Sequence, residues 1–136
     1  MNLCDVENSY DFHVKVWLNK IEPEIWKHLE RVPLLPEDTA NEVLCYFTKL
    51  ACEPTHIRPI TIGRVAISEM PKEWVINHIE GIAKENINLD DDWEYRRLAE
   101  LFLQLDKKLV QRLVNLGLNS SNPDVQEAAK DFSATL

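Results

Sequence analysis

Reactive side chains are scattered thinly along this chain, and one short stretch gathers more of them than any other. In "NINLDDDWEYRRLAEL" three aspartates, Asp90, Asp91 and Asp92, run into Trp93 and Glu94. Contiguous carboxylates suggest a cation loop. Calcium loops, however, need spaced oxygens, a glycine at the sharp turn and a distant glutamate, and this run has neither the spacing nor the glycine. The spacing fits a helix start better. Asp91 stands at an N-cap position with Glu94 three residues on, as in a capping box, and first-turn acids favour the positive end of a helix dipole.

Trp93 is not explained by capping. At helical period it lies over Arg97, Glu100 and Gln104, a polar face. An aromatic among charges, beside carboxylates, has the chemistry of a protein-binding anchor, the ring supplying contact energy and the charges steering the partner. The plainer alternative folds Trp93 back on a neighbouring helix or loop. The candidate partner-binding set is therefore Asp90, Asp91, Asp92, Trp93, Glu94, Arg97 and Glu100.

Nothing else points to catalysis. The three cysteines, Cys4, Cys45 and Cys52, form no CxxC pair, and His13, His28, His56 and His78 show no HxxxH or HExxH spacing. Cys45 and Cys52 could share a helical face near His56, but zinc would want further ligands, and buried thiols are the simpler expectation. His78, beside Trp74 and Ile82, reads as a core or boundary histidine. Nucleophile elbow, Walker loop and dinucleotide fingerprint are all missing from the sequence. The expectation is no enzyme, no metal and no cofactor.

Charge narrows the partners. Among 136 residues, 23 are acidic and 15 are Lys or Arg, a formal net charge of -8. Such an excess repels phosphate backbones and anionic lipid, and attracts basic proteins. Nucleic acid, membrane and small-molecule substrates are not expected as partners. The start "MNLCDVENSYDFH" does not resemble a signal peptide, and no apolar run approaches the ~20 residues of a membrane span, so a cytoplasmic location is expected.

The elements that must position these residues read as helices. Tyr10, Val14, Trp17, Leu18 and Ile21 form one apolar stripe. Ala40, Val43, Leu44, Phe47, Leu50 and Ala51 form a second, and Val125, Ala128, Ala129 and Phe132 a third, all at helical period. Pro23, Pro36, Pro71 and Pro123 each stand where a helix begins. Helices are expected over 10–20, 23–32, 37–52, 58–69, 71–85, 91–105, 107–118 and 123–134. The segment "IRPITIGRVAI" is β-branched, but Pro59 and Gly63 argue against a central strand. Charged faces carry the supporting pair Glu80–Lys84 and a solvated stripe through Lys108, Gln111, Arg112 and Asn115. Glu37, Asp38 and Glu42 could extend an acidic surface.

Shifted by about 35 residues the chain echoes itself. Ala66 falls on Leu101, Ile67 on Phe102, Met70 on Leu105, Trp74 on Leu109, Val75 on Val110 and Ile79 on Val114. Helix pairs at that period suggest a stacked α-solenoid. On 91–105, Leu98, Leu101, Phe102 and Leu105 cover one face, and Ala99 and Leu103 another, as a helix with two neighbours requires. The expectation is one all-α domain over 1–136: a right-handed, HEAT-like α-solenoid of about eight helices packed as antiparallel pairs. Residues 1–55 supply N-terminal helices and 56–136 the HEAT-like pairs.

The tail "DWEYRRLAELFLQLDKKLVQRLVNLGLNSSNPDVQEAAKDF" resembles a HEAT-type repeat. With "IGRVAISEMPKEWVINHIEGIA" before it, the chain is similar to helical immunity proteins of bacterial polymorphic toxin systems, such as those of contact-dependent growth inhibition. The resemblance runs from about Ile57 to Phe132. It implies a cytosolic protein that binds one cognate toxin, often a nuclease with a basic surface, and occludes its active site or substrate groove. A HEAT-like adaptor unconnected with toxins is the alternative.

Overall fold

The computed structural model describes residues 10–136, and all regular structure among them is helical. Seven α-helices are α1 (Tyr10–Ile21), α2 (Glu37–Ala51), α3 (Ile57–Glu69), α4 (Lys72–Asn86), α5 (Asp92–Leu105), α6 (Lys107–Leu118) and α7 (Pro123–Ser133). Two 3-10 helices, Ile25–Lys27 and Leu29–Leu34, join α1 to α2.

That junction is where sequence periodicity misleads. An α-helix expected over 23–32 is instead two 3-10 segments. Glu24 adopts a left-handed φ of 64°, the only non-glycine residue to do so among those described, and stops any continuous helix. Its N–H is held by Asn19 Oδ1 at 2.8 Å. Pro33 lies inside the second segment, where the missing N–H discourages α-helical continuation. Ile25, Leu29 and Val32 are nevertheless buried, so the apolar spacing marks burial without marking helix type.

The β-branched segment is helical. Pro59 occupies the third position of α3, in the first turn, where an N–H would have no intrahelical acceptor. Gly63 then lets α3 lie directly on α2. A Cβ at Gly63 would fall 2.5 Å from both the Ala51 N and the Phe47 O of α2.

α2 is the centre of the packing. It meets α3, α4, α5 and the second 3-10 segment, and it buries Ala40, Val43, Leu44, Phe47, Thr48 and Ala51. The buried Thr48 hydroxyl is satisfied by the Leu44 carbonyl at 2.7 Å. Further along, α7 packs on α6 and α5, and α5 on α6 and α4. Five of the six echoed pairs are buried together, Ala66 and Leu101, Ile67 and Phe102, Met70 and Leu105, Val75 and Val110, and Ile79 and Val114, whereas Trp74 is half-buried where Leu109 is fully buried. On α5, Ala99 joins the core as expected, whereas Leu103 remains on the surface.

Tyr95 is the largest side chain in the fully buried set, and its ring is not part of any stripe read from sequence. Its hydroxyl donates to the Leu113 carbonyl of α6 at 2.7 Å. Gly117, one turn further along α6, leaves room for the ring, because a Cβ there would meet Tyr95 and sit 2.8 Å from Ala129 Cβ.

Two outcomes test this packing. Gly63→Ala should cost about 1–3 kcal/mol in urea unfolding through overpacking against the α2 backbone. Gly81→Ala, which faces open space, should stabilise by up to ~1 kcal/mol. Burial pushes the Tyr95 phenol up to about 12 from 10.0. A folded-state pKa raised above the unfolded value means its contribution is whole below pH 10 and disappears as pH rises toward 12. Tyr95→Phe should therefore flatten the alkaline loss of stability, while costing about 1 kcal/mol at neutral pH for the lost hydrogen bond.

Candidate functional site

The acidic stretch opens α5, and its local chemistry follows from helix-end accounting. Asp91 is the N-cap: its carboxylate accepts from Trp93 N at 2.9 Å and Glu94 N at 3.0 Å. Glu94 does not close the expected reciprocal box. Its Oε1 instead accepts from Asn88 N at 3.4 Å, while Asp91 N donates to the Asn88 carbonyl. Glu94 therefore closes the whole turn that precedes the helix, and not the cap alone.

Trp93 stays on the surface, 51% exposed. The indole rests against Arg97, whose guanidinium carbon is 5.5 Å from the ring centroid. Arg97 itself is tied down within the protein. Its Nε and one terminal nitrogen donate to the Pro54 carbonyl at 3.2 Å each, and the other terminal nitrogen donates to Glu100 at 2.7 Å. Glu100 also accepts from Arg64 of α3 at 2.7 Å. Gln104, the last residue of that helical face, donates to the Arg64 carbonyl at 3.0 Å.

This divides the sequence-derived set. Asp90 and Trp93 are exposed and Asp91, Asp92 and Glu94 half-buried along one edge at the start of α5. Arg97 and Glu100, both part-buried, form a strut between α3, α5 and the loop after α2, where each side chain already has a partner within the protein. The spacing placed them correctly on the face of Trp93. What it could not show was Arg64 and Pro54, which lie more than 30 residues away in the chain.

The edge is wider than the acidic stretch. The loops after α2, α4 and α6 are linked to it: Arg97 reaches Pro54 in the first, and Asn122 Nδ2 donates to the Asp90 carbonyl at 2.7 Å from the third. Asn122 also caps α7, accepting from Asp124 N at 2.9 Å. Two helix N-termini thus meet here. Among the described residues, Asp90, Asp91, Asp92, Glu94 and Asp124 make no ion pair, whereas Glu53 in the first loop hydrogen-bonds His56 at 3.0 Å. The His56 hydrogen bond holds the Glu53 carboxyl below its usual range. Sequence reading missed Glu53, Asn122 and Asp124. The signal present was the Asn-Pro-Asp cap of α7, but nothing in linear spacing ties it to Asp90.

Other expectations shift similarly. Glu80 pairs with Arg112 of α6 at 2.8 Å and not with Lys84, because a neighbouring helix offers a planar guanidinium across the groove. His78 stacks on Trp74 and hydrogen-bonds the Trp74 carbonyl at 2.7 Å, as a boundary histidine does. Glu37, Asp38 and Glu42 lie exposed on α2.

Cys45 is half-buried and Cys52 fully buried, both as free thiols, and Cys4 lies outside the described residues. Burial, then the nearby Glu94 carboxylate, push the Cys52 thiol up to about 12. At neutral pH it is therefore protonated and a poor nucleophile. Among the described residues no group of three His, Cys, Asp or Glu could hold a metal ion, and no helix is long and apolar enough to cross a membrane.

Fold and edge together define an all-helical protein with an acidic, aromatic-bearing loop surface. No protein-family model, curated protein or solved structure matches the chain.

Iodoacetamide labelling at pH 8, read by peptide mass spectrometry, should modify Cys45 well before Cys52. Cys52 should react only as the protein unfolds. Rapid native-state labelling of Cys52 would contradict the thiol burial.

Proposed function

We propose that the protein acts by binding another protein and not by catalysis, as an immunity protein that neutralises a cognate bacterial toxin in the cytoplasm. The observation that carries this is the loop edge, where Asp90, Asp91, Asp92 and Glu94 flank the half-exposed Trp93 in sequence, Asp124 is linked to Asp90 through Asn122, and none of the five carboxylates makes an ion pair among the described residues. Uncompensated like charges repel one another, a cost that a basic partner would relieve, and their field would speed its capture. Trp93, propped by Arg97, offers a rigid aromatic plate of the kind that anchors interfaces. A nuclease toxin, which holds phosphates in a basic groove, has the complementary surface, and the acidic edge would occupy that groove.

The arrangement of helices supports a HEAT-like solenoid reading. Several successive helices pack, as α2 does on α3 and α6 on α7, and several alternate ones too, as α1 does on α3, α2 on α4 and α5 on α7, although α3 packs little on α4 or α5 and α4 little on α6. Layers of alternate helices are the mark of stacked pairs. In such a stack the loops after α2, α4 and α6 would fall along one edge, in keeping with the hydrogen bonds that link them.

The test leaves Asp91 in place, because replacing a cap would cost about 1 kcal/mol of stability and confuse the result. Asp90→Lys with Trp93→Ala should keep the helical circular dichroism and weaken toxin binding by at least roughly a hundredfold, about 2.7 kcal/mol. The toxin candidate is the C-terminal region of the adjacent upstream reading frame, co-expressed in cells. Growth rescue by the natural sequence and loss of rescue by the double variant would establish the reading. A stable complex without growth protection would favour an adaptor in another assembly.

A further inference from the structure

A cavity of about 450 Å³ lies where the end of α6 meets the turn that leads into α5. Tyr95 and Gly117 line its buried side, and Leu89, Leu116 and Val125 give it aliphatic walls. Leu116 is 47% exposed, so the opening carries an apolar lip. Asp90 is also among the lining residues and joins the cavity to the acidic edge.

The electrostatics of this cavity are one-sided. Among the described residues its lining contains no lysine, arginine or histidine. Asp90 donates its N–H to Asn88 and offers its carbonyl to Asn122, while its carboxylate makes no ion pair among the described residues. The end of α6 adds the negative pole of a helix dipole, and no basic residue occupies its last turn. Asn119 and Ser121 bring a side-chain amide oxygen and a hydroxyl to the same lining.

From this geometry we infer that the cavity receives an arginine side chain of the partner protein, an inference that rests on the protein-binding reading of the edge. The aliphatic walls suit the stem, and the negative lining suits the guanidinium. Lysine is the poorer occupant. Its ammonium is strongly hydrated and loses more on entering an apolar-walled cavity, whereas a guanidinium is weakly hydrated and spreads its donors over several acceptors. An arginine seated in a pocket is also among the side chains that contribute most to interface energy.

Three blocked glycine-rich peptides, alike except for a central arginine, lysine or citrulline, probe the full chain by proton–nitrogen NMR titration. Citrulline keeps the shape of arginine and replaces the guanidinium with a neutral urea. The arginine peptide should bind at least about tenfold more tightly than the citrulline peptide, and more tightly than the lysine one. Its shifts should centre on Asn119, Ser120 and Ser121. Asp90→Asn should remove most of the difference between arginine and citrulline. Glu127→Gln, the same change of charge outside the lining, should preserve it. Leu116→Ser, at an exposed wall position, should weaken the arginine peptide without altering any charge. Equal binding of the arginine and citrulline peptides, tighter binding of lysine, or equal losses in Asp90→Asn and Glu127→Gln would overturn the inference. Free arginine binding more tightly than the blocked peptide would assign the cavity to a small metabolite, and overturn it as well. The two readings fail separately. Toxin neutralisation with no arginine preference sinks the cavity alone. Arginine preference without neutralisation removes the toxin and leaves the cavity as an arginine site for another protein.

Discussion

The close approach of α2 and α3 at Gly63 governs much of this structure. With no side chain at that position, α3 lies directly on the backbone of α2 near Phe47 and Ala51. α2 is then covered on several sides, and its burial of Val43, Leu44 and Phe47 ties the N-terminal helices to α4 and α5. The loop after α2 is short, so docking α3 also positions Pro54. Its carbonyl becomes an acceptor for Arg97.

From there the constraint reaches the surface. Arg97 is held by Pro54 and Glu100, Glu100 by Arg64, and Trp93 rests on the fixed guanidinium. These groups are only partly exposed, which shields the ion pairs from full solvent screening. An exposed tryptophan on an unsupported helix end would have several rotamers to lose on binding. Here stacking restricts it in advance, which lowers the entropic cost of association. The carboxylates beside it make no ion pair among the described residues, and the arginines of the same helix are engaged elsewhere, Arg97 with Glu100 and Pro54 and Arg96 with Asp131.

Two surfaces of the molecule differ in construction. The loop edge is polar, negative and marked by one aromatic. A groove between α1 and α3 is mainly apolar, and Ile57 and Val65 at its α3 wall are exposed. A helical stack readily carries both, since each helix has an inward face to bury and leaves its remaining faces and connecting loops free to vary.

Helical period and caps were legible from residue order alone. The stripe through Val43, Leu44 and Phe47, the proline starts at Pro36, Pro71 and Pro123, and the Asp91 cap depend on neighbours within a turn, and these are what a sequence displays. The same local logic placed Trp93 on the face of Arg97 and Glu100. It failed at Glu24 and Pro33, where periodicity persisted without an α-helix, and it failed where a distant group competed: at Tyr95, whose burial needs Gly117 of another helix, and at Glu80, which Arg112 claims from across a groove. The sequence alone therefore determined where the helices lie and which side of each is apolar, because hydrogen bonding and side-chain period act over three or four residues. Only tertiary packing decided that Arg97 and Glu100 pair with Pro54 and Arg64 and that Asp124 joins the Asp90 edge, because those outcomes depend on which remote atoms the fold brings within hydrogen-bonding distance.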